Sequence, residues 1–215
     1  MELVSFLVAN FKAGGIFMYG ILFVLVIGTA IVVERTLALV IRSRVNAREL
    51  WRDVEDLIDH DKVADALRRT TRSSAPLARV LSAGLASAAR GGPADAVERG
   101  LEEAMREVLP TLEKRIHYLY TLSNVSTLIG LLGTVVGLIT AFAAVSLADP
   151  AQKAALLANG ISLALNNTAF GLMVAIALML AYSYMQSRAA RLGDEIDEFS
   201  LRLANRLADR ARGGQ

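Results

Sequence analysis

Inside the long charge-free stretches of this chain, the groups able to do chemistry are hydroxyls and carboxamides. Thr127 and Thr134 stand seven residues apart in TLSNVSTLIGLLGTVVGLITAFAAVSL, two helical turns up nearly one side. Asn159, Ser162, Asn166, Asn167 and Thr168 mark a second stretch. These groups exchange hydrogen bonds but release no proton at any accessible pH. Neither stretch holds a carboxylate or lysine at depth, and His117 lies near an edge. If protons cross here, the acid must come from another chain. No nucleophile–base pair, phosphate loop or metal-ligand cluster is visible, so the pattern argues against an enzyme, a cofactor site or a metal site.

The elements that position these residues follow from the charges. Asp, Glu, Lys and Arg are absent from 13–33, 116–148 and 154–187. Each window reaches the roughly 20 apolar residues of a bilayer-spanning helix. The expected fold is an all-α integral membrane protein with transmembrane helices at 16–41, 116–148 and 154–187. Residues 1–15 are expected to form either an interfacial segment, with Leu3, Leu7 and Phe11 as its stripe, or a frayed apolar lead-in to the first span. Residues 42–115 form a helical domain, 149–153 a tight turn at Asp149-Pro150, and 188–215 a helical tail. The first window lacks a basic n-region and a small-x-small cleavage site, so it is not expected to be a cleaved signal.

Arginines set the orientation. Arg35, Arg42, Arg44 and Arg48 follow the first span, Lys114 and Arg115 precede the second, and Arg188 and Arg191 follow the third. Only Lys12 and Lys153 lie on the other side. The positive-inside rule puts the N-terminus outside, with 42–115 and the C-terminus in the cytoplasm. The net charge is only +2 and the basic residues border the spans, so topology explains them better than nucleic acid does. The absence of cysteine excludes disulfides and thiolate metal sites.

Packing can also be read from residue size. Gly130, Gly133, Gly137 and Ala141 recur at helical spacing, and Gly171 is a further packing glycine. Small residues let backbones approach, and hydroxyls need partners where water is scarce, so the second span reads as an inner wall. A bundle or ring of copies would turn the polar stripes of the second and third spans toward a shared axis. The aliphatic first span, GILFVLVIGTAIVV, reads as lipid-facing. Glu34 and Arg35 at its inner edge point about 100° apart and need not pair with each other. They either snorkel to the interface or bridge to a neighbouring subunit. Between the spans, short amphipathic helices precede a longer one. Its apolar positions Val97, Leu101, Met105, Val108, Leu112, Ile116 and Leu119 predict one face running straight into the second span, with Pro110 kinking the helix or costing it a hydrogen bond without necessarily ending it. In the tail, Leu192, Ile196, Phe199, Leu203 and Leu207 share one side.

IGLLGTVVGLITAF in the second span, GISLALNNTAFGLMVAI in the third and VVERTLALVIR ending the first resemble the MotA/TolQ/ExbB proton channel family. The resemblance covers nearly the whole chain, and three spans are more similar to the ExbB/TolQ branch than to flagellar stators. It implies a homopentameric ring in the bacterial inner membrane, its second and third spans lining a central pore. Two copies of an ExbD/TolR-like single-span partner would occupy that pore and supply an essential aspartate. Thr134 and Thr168 match the family's two pore threonines, whose hydroxyls would bond that aspartate or a water leading to it. Alternatively each threonine bonds back to the carbonyl one turn earlier. Thr127, Asn166 and Asn167 are the remaining pathway candidates. Three positions depart from the family pattern. Leu163 stands where many relatives carry glutamate, and Thr127 and Ala177 stand where prolines are usual.

The function expected from these readings is an ion-driven motor subunit that converts ion-motive force into work for envelope transport, envelope integrity or motility. The alternative is a non-conducting scaffold ring that recruits partner proteins.

Overall fold

A computed structural model describes residues 15–41 and 47–213 of the chain. The interfacial stripe expected at Leu3, Leu7 and Phe11, and the arginines at 42 and 44, lie outside the described residues. All the described elements are helical. They are α1 (Gly15–Thr36) with a π-helical end at Leu37–Ile41, α2 (Ala47–Asp59), α3 (Val63–Thr71), α4 (Pro76–Ala89), α5 (Ala94–Glu113), α6 (Ile116–Ser146) and α7 (Pro150–Gly213). Three stretches among them are long and apolar enough to cross a membrane: Gly15–Leu39, the apolar part of Ala94–Ser146, and the apolar part of Pro150–Arg210.

The helices fall into two compact units. The first takes α1 as far as Val33 together with Arg115–Tyr184. Here α1 buries Met18, Ile21 and Val24, while Ile16, Phe23 and Val26 on its other faces stay exposed. Gly20 lies against Ile129, and Gly28 lets the Leu178 side chain press onto its backbone. The first span is therefore bare on part of its circumference only. Uniformly aliphatic composition hides this, because the packed and bare faces have the same chemistry.

The second unit comprises Glu34–Lys114 and the chain from Met185 onward. Its core is formed by Leu50, Trp51, Val54 and Ile58 of α2, Leu77, Val80, Leu81 and Leu85 of α4, and Val97, Leu101, Val108 and Leu112 of α5. Ile196, Phe199, Leu203 and Leu207 complete it from α7, with Trp51 stacked on Phe199 at 5.4 Å. Local chemistry starts and stops these helices. Gly91 adopts φ +72, and its N–H donates to the Ala88 carbonyl while that of Gly92 donates to Ser87, closing α4 with a Schellman motif. Asp61 plays the left-handed part after α2, and Pro76 opens α4 at a position that needs no N–H donor.

The face expected to run unbroken from α5 into the second span is interrupted. Pro110 sits inside α5, and the helix ends at Glu113 instead. Lys114 turns extended and Arg115 takes a left-handed conformation, φ 65 and ψ −7, before α6 begins. Beyond the break Ile116 and Leu119 are still buried, so the apolar rhythm continues on α6.

Candidate functional site

In the first unit α6 and α7 pack antiparallel along a seam of small residues. On α6 the buried positions Ser123, Ser126, Gly130 and Gly133, with half-buried Gly137, alternate by three and four residues. Their opposites are Ala175, Gly171, Asn167 and Ala164, numbered in descending order. A Cβ added at Gly130 would come within 3.2 Å of the Gly171 Cα, and one at Gly171 within 2.8 Å of the Ser126 carbonyl oxygen. Only glycine admits this approach. Two serine hydroxyls span the seam, Ser123 donating to the Ala175 carbonyl at 2.9 Å and Ser126 to that of Gly171 at 3.0 Å. Sequence reading missed both serines. The signal was there, since they continue the spacing of Gly130, Gly133 and Gly137 toward the N-terminus.

This seam brings Thr134 and Thr168 together. Their hydroxyls lie in mutual hydrogen-bond contact. Thr134 Oγ1 also reaches the Gly130 carbonyl one turn back at 3.2 Å and the Ala164 carbonyl across the seam at 3.3 Å. Thr168 Oγ1 reaches the Gly130 carbonyl at 3.1 Å, so its carbonyl partner is on the opposite helix. Two hydroxyl protons are shared among these contacts, so not all of them are donated at once and the pair keeps acceptor lone pairs. The cluster is thus rich in acceptors and half-buried. It can receive a proton donor, whether a water or a protonated acid, without breaking either helix.

The other candidates take different places. Thr127 is half-buried and donates to the Ser123 carbonyl of its own helix at 3.2 Å. Asn166 is half-buried on α7. Asn167 is 5% exposed, lies against Gly133, and its Oδ1 has no hydrogen-bond donor. Toward the other end of the seam Tyr120 and Tyr182 meet with ring centroids 5.5 Å apart, and His117 stands 6.0 Å from Tyr120.

In the second unit, Glu34 and Arg35 do pair, Nη2 to Oε1 at 2.9 Å. The Arg35 side chain is only 8% exposed, and Nη1 donates to the Thr111 carbonyl at 3.3 Å. The pairing follows from the end of α5. The helix stops at Glu113, so the carbonyls of its last turn have lost their helical donors, and a guanidinium supplies one.

An antiparallel pair of apolar helices joined by threonine, serine and glycine, beside a third apolar helix, defines a multi-span membrane protein with a semi-polar inner seam. Comparison with known proteins gives the class a name. Residues 72–198 match the model of the MotA/TolQ/ExbB proton channel family, and the chain belongs to that family. It is 31% identical over 192 residues to a biopolymer transport protein ExbB homologue of Methanothermobacter thermautotrophicus, covering 89% of this chain and 66% of that protein. It is 40% identical over 106 residues to the Tol-Pal system protein TolQ of Haemophilus influenzae, covering 47% and 46%. An ExbB-like biopolymer transport protein of Synechocystis is 31% identical over 178 residues, covering 81% and 82%. The chain thus spans just under two thirds of the first of these relatives and less than half of the second.

Proposed function

We propose that this protein is an ion-conducting, and specifically proton-conducting, stator subunit of an inner-membrane motor. In this reading copies of the chain form a pentameric ring, with the N-terminus periplasmic and the C-terminus cytoplasmic. The α6–α7 seams border a central pore, and two copies of an ExbD/TolR-like single-span partner bring the aspartate. The observation that carries it is the Thr134–Thr168 contact at a depth where the seam holds no carboxylate, lysine or histidine. A protonated partner acid would donate to a hydroxyl lone pair. After the proton leaves, the hydroxyls would turn and donate to the carboxylate. Family membership supports the same reading. The energy scale allows work, since one charge crossing 100 mV releases about 2.3 kcal/mol.

The test is Thr134→Ala and Thr168→Ala, singly and together, in the complex with its neighbour-encoded partner. Assembly is expected to stay intact while proton-driven work falls. Wild-type work rates in both variants would refute the pore role. A scaffold reading is favoured by one observation: Thr134, Ser123 and Ser126 each already have a backbone carbonyl partner, which packing alone explains. The scaffold needs no acid-bearing partner, so co-purification of a single-span chain with a membrane aspartate separates the two readings.

A further inference from the structure

The α6–α7 pair is a hairpin closed at one end only. Residues 147–149 join the helices there, whereas no turn joins them at the other end. At about 1.5 Å per residue, Thr134 lies about 18 Å along α6 from that turn and Ser126 about 30 Å from it. Ser126 and Ser123 therefore sit between the threonine pair and the open end. They are 0% and 1% exposed, and each hydroxyl donates to a carbonyl of α7, that of Gly171 or Ala175. A hydroxyl has a single proton to donate, so both are committed across the seam. The threonines are placed differently. Both are half-buried, and their bonds across the seam run to the Ala164 carbonyl, to the Gly130 carbonyl and to each other. A threonine hydroxyl that turns to donate to a partner's carboxylate gives up one of these bonds.

We infer that Ser123 and Ser126 are positioning residues: their hydroxyls clamp the open end of the hairpin and hold Thr134 and Thr168 together while the threonine hydroxyls change partners. The inference rests on the threonine role proposed above. Glycine packing lets the two helices approach but opposes their parting weakly, because lipid tails solvate apolar surface as well as another helix does. Directional bonds add what packing lacks. Placed beyond the threonines from the turn, they act where an opening hairpin would part most. The serine bonds outlast the threonine ones because neither serine is open to a guest. Gly171 makes the clamp possible. A Cβ there would lie 2.8 Å from the Ser126 carbonyl oxygen, so the residue that admits the close approach also offers the acceptor.

Ser123→Ala and Ser126→Ala remove the hydroxyls but keep side chains small, and the Gly171 and Ala175 carbonyls retain their helical N–H partners, so the complex is expected to assemble. The chain contains no cysteine, so Thr134→Cys with Thr168→Cys makes one defined pair at side chains that meet. In the assembled complex copper phenanthroline oxidises the two thiols to a disulfide within one subunit, at a rate that reports how long the pair stays in reach. The two serine substitutions together should slow it at least about threefold, the average worth of one interhelical hydrogen bond in a bilayer. Thr140→Ala is the control, since that hydroxyl bonds carbonyls of its own helix, and it should leave the rate unchanged. The second readout is proton-driven work against pH with the threonines intact. Hydroxyls that donate to a carboxylate lower its pKa, so displacing them raises it. The serine variants should move the midpoint to higher pH, as Thr134→Ala with Thr168→Ala does, and should move it no further in that background. Crosslinking at the rate of the cysteine pair alone would overturn the clamp whatever the threonine variants do. A lower amplitude at an unmoved midpoint, where the threonine variants do move it, would reduce the serines to packing and overturn it too. Slowed crosslinking with wild-type work in the threonine variants defeats the pore reading and leaves the clamp standing.

Discussion

Gly171 carries the closest backbone approach in the seam, and its replacement separates packing from conformational effects. An alanine Cβ there would sit 2.8 Å from the Ser126 carbonyl oxygen and 3.0 Å from the Gly130 Cα. Both are backbone atoms, so the helices must part. Overpacking of this kind costs about 1–3 kcal/mol, and it draws Thr168 away from Thr134. Gly193 is the contrasting case within α7. A Cβ there meets only the Leu109 Cδ2 at 3.6 Å, an ordinary contact, and removing a helix-interior glycine gains about 0.5–1 kcal/mol. Thermal melting of the purified protein should therefore fall for Gly171→Ala and rise for Gly193→Ala. A rise for both would mean that the seam is looser than these distances require.

At the scale of elements, the α5–α6 junction and its arginines matter most. A non-glycine residue in the left-handed region costs about 1–2 kcal/mol, and Arg115 occupies it. Arg115→Gly should raise the melting temperature. Arg35→Ala should lower it, through a stability loss of about 1–3 kcal/mol, by leaving the Thr111 carbonyl without its guanidinium donor. If Arg35→Ala melts like wild type, the guanidinium does not cap α5. Elsewhere in that unit Arg206 bonds Glu55 at 2.7 Å and Asp59 at 3.2 Å. The Glu55 hydrogen bond, followed by the charge of Asp59, holds its pKa above the ordinary arginine value. A raised basic pKa contributes at every pH below the unfolded value and is lost only as pH climbs through the folded one, so this contribution is constant across the physiological range. The junction was not legible in the sequence. Lys114 and Arg115 carry no glycine or proline signal, and the apolar rhythm runs through them from Leu112 to Ile116. Proline 110, the visible breaker, stays inside α5.

At the scale of the whole molecule, the all-helical class and three long apolar helices could be read directly, because segregated charge is a strong signal. The amphipathic stripes of the second unit were legible for the same reason: Ile196, Phe199, Leu203 and Leu207 contrast with charged neighbours and are buried. Inside the spans that contrast vanishes, and size takes its place. Glycines marked the seam, but nothing in the composition of α1 separated buried Met18 and Ile21 from exposed Ile16 and Phe23. Nor did spacing alone predict that Thr168 would find its carbonyl partner on α6 while Asn167 packed against Gly133. On α6, Leu128, Leu131, Val135, Ile139 and Phe142 leave an exposed apolar strip at spacings of three and four. A membrane or further copies of the chain must cover such a strip.

The central claim is that several copies present the Thr134–Thr168 walls to a guest bearing the acid. A cryo-EM map of the complex purified with its neighbour-encoded partner tests it most directly. The account predicts a central cavity bordered by α6 and α7, both threonines turned toward it, and a partner helix inside with its carboxyl group at their level. A map in which the two threonines face acyl chains around no central cavity would contradict it.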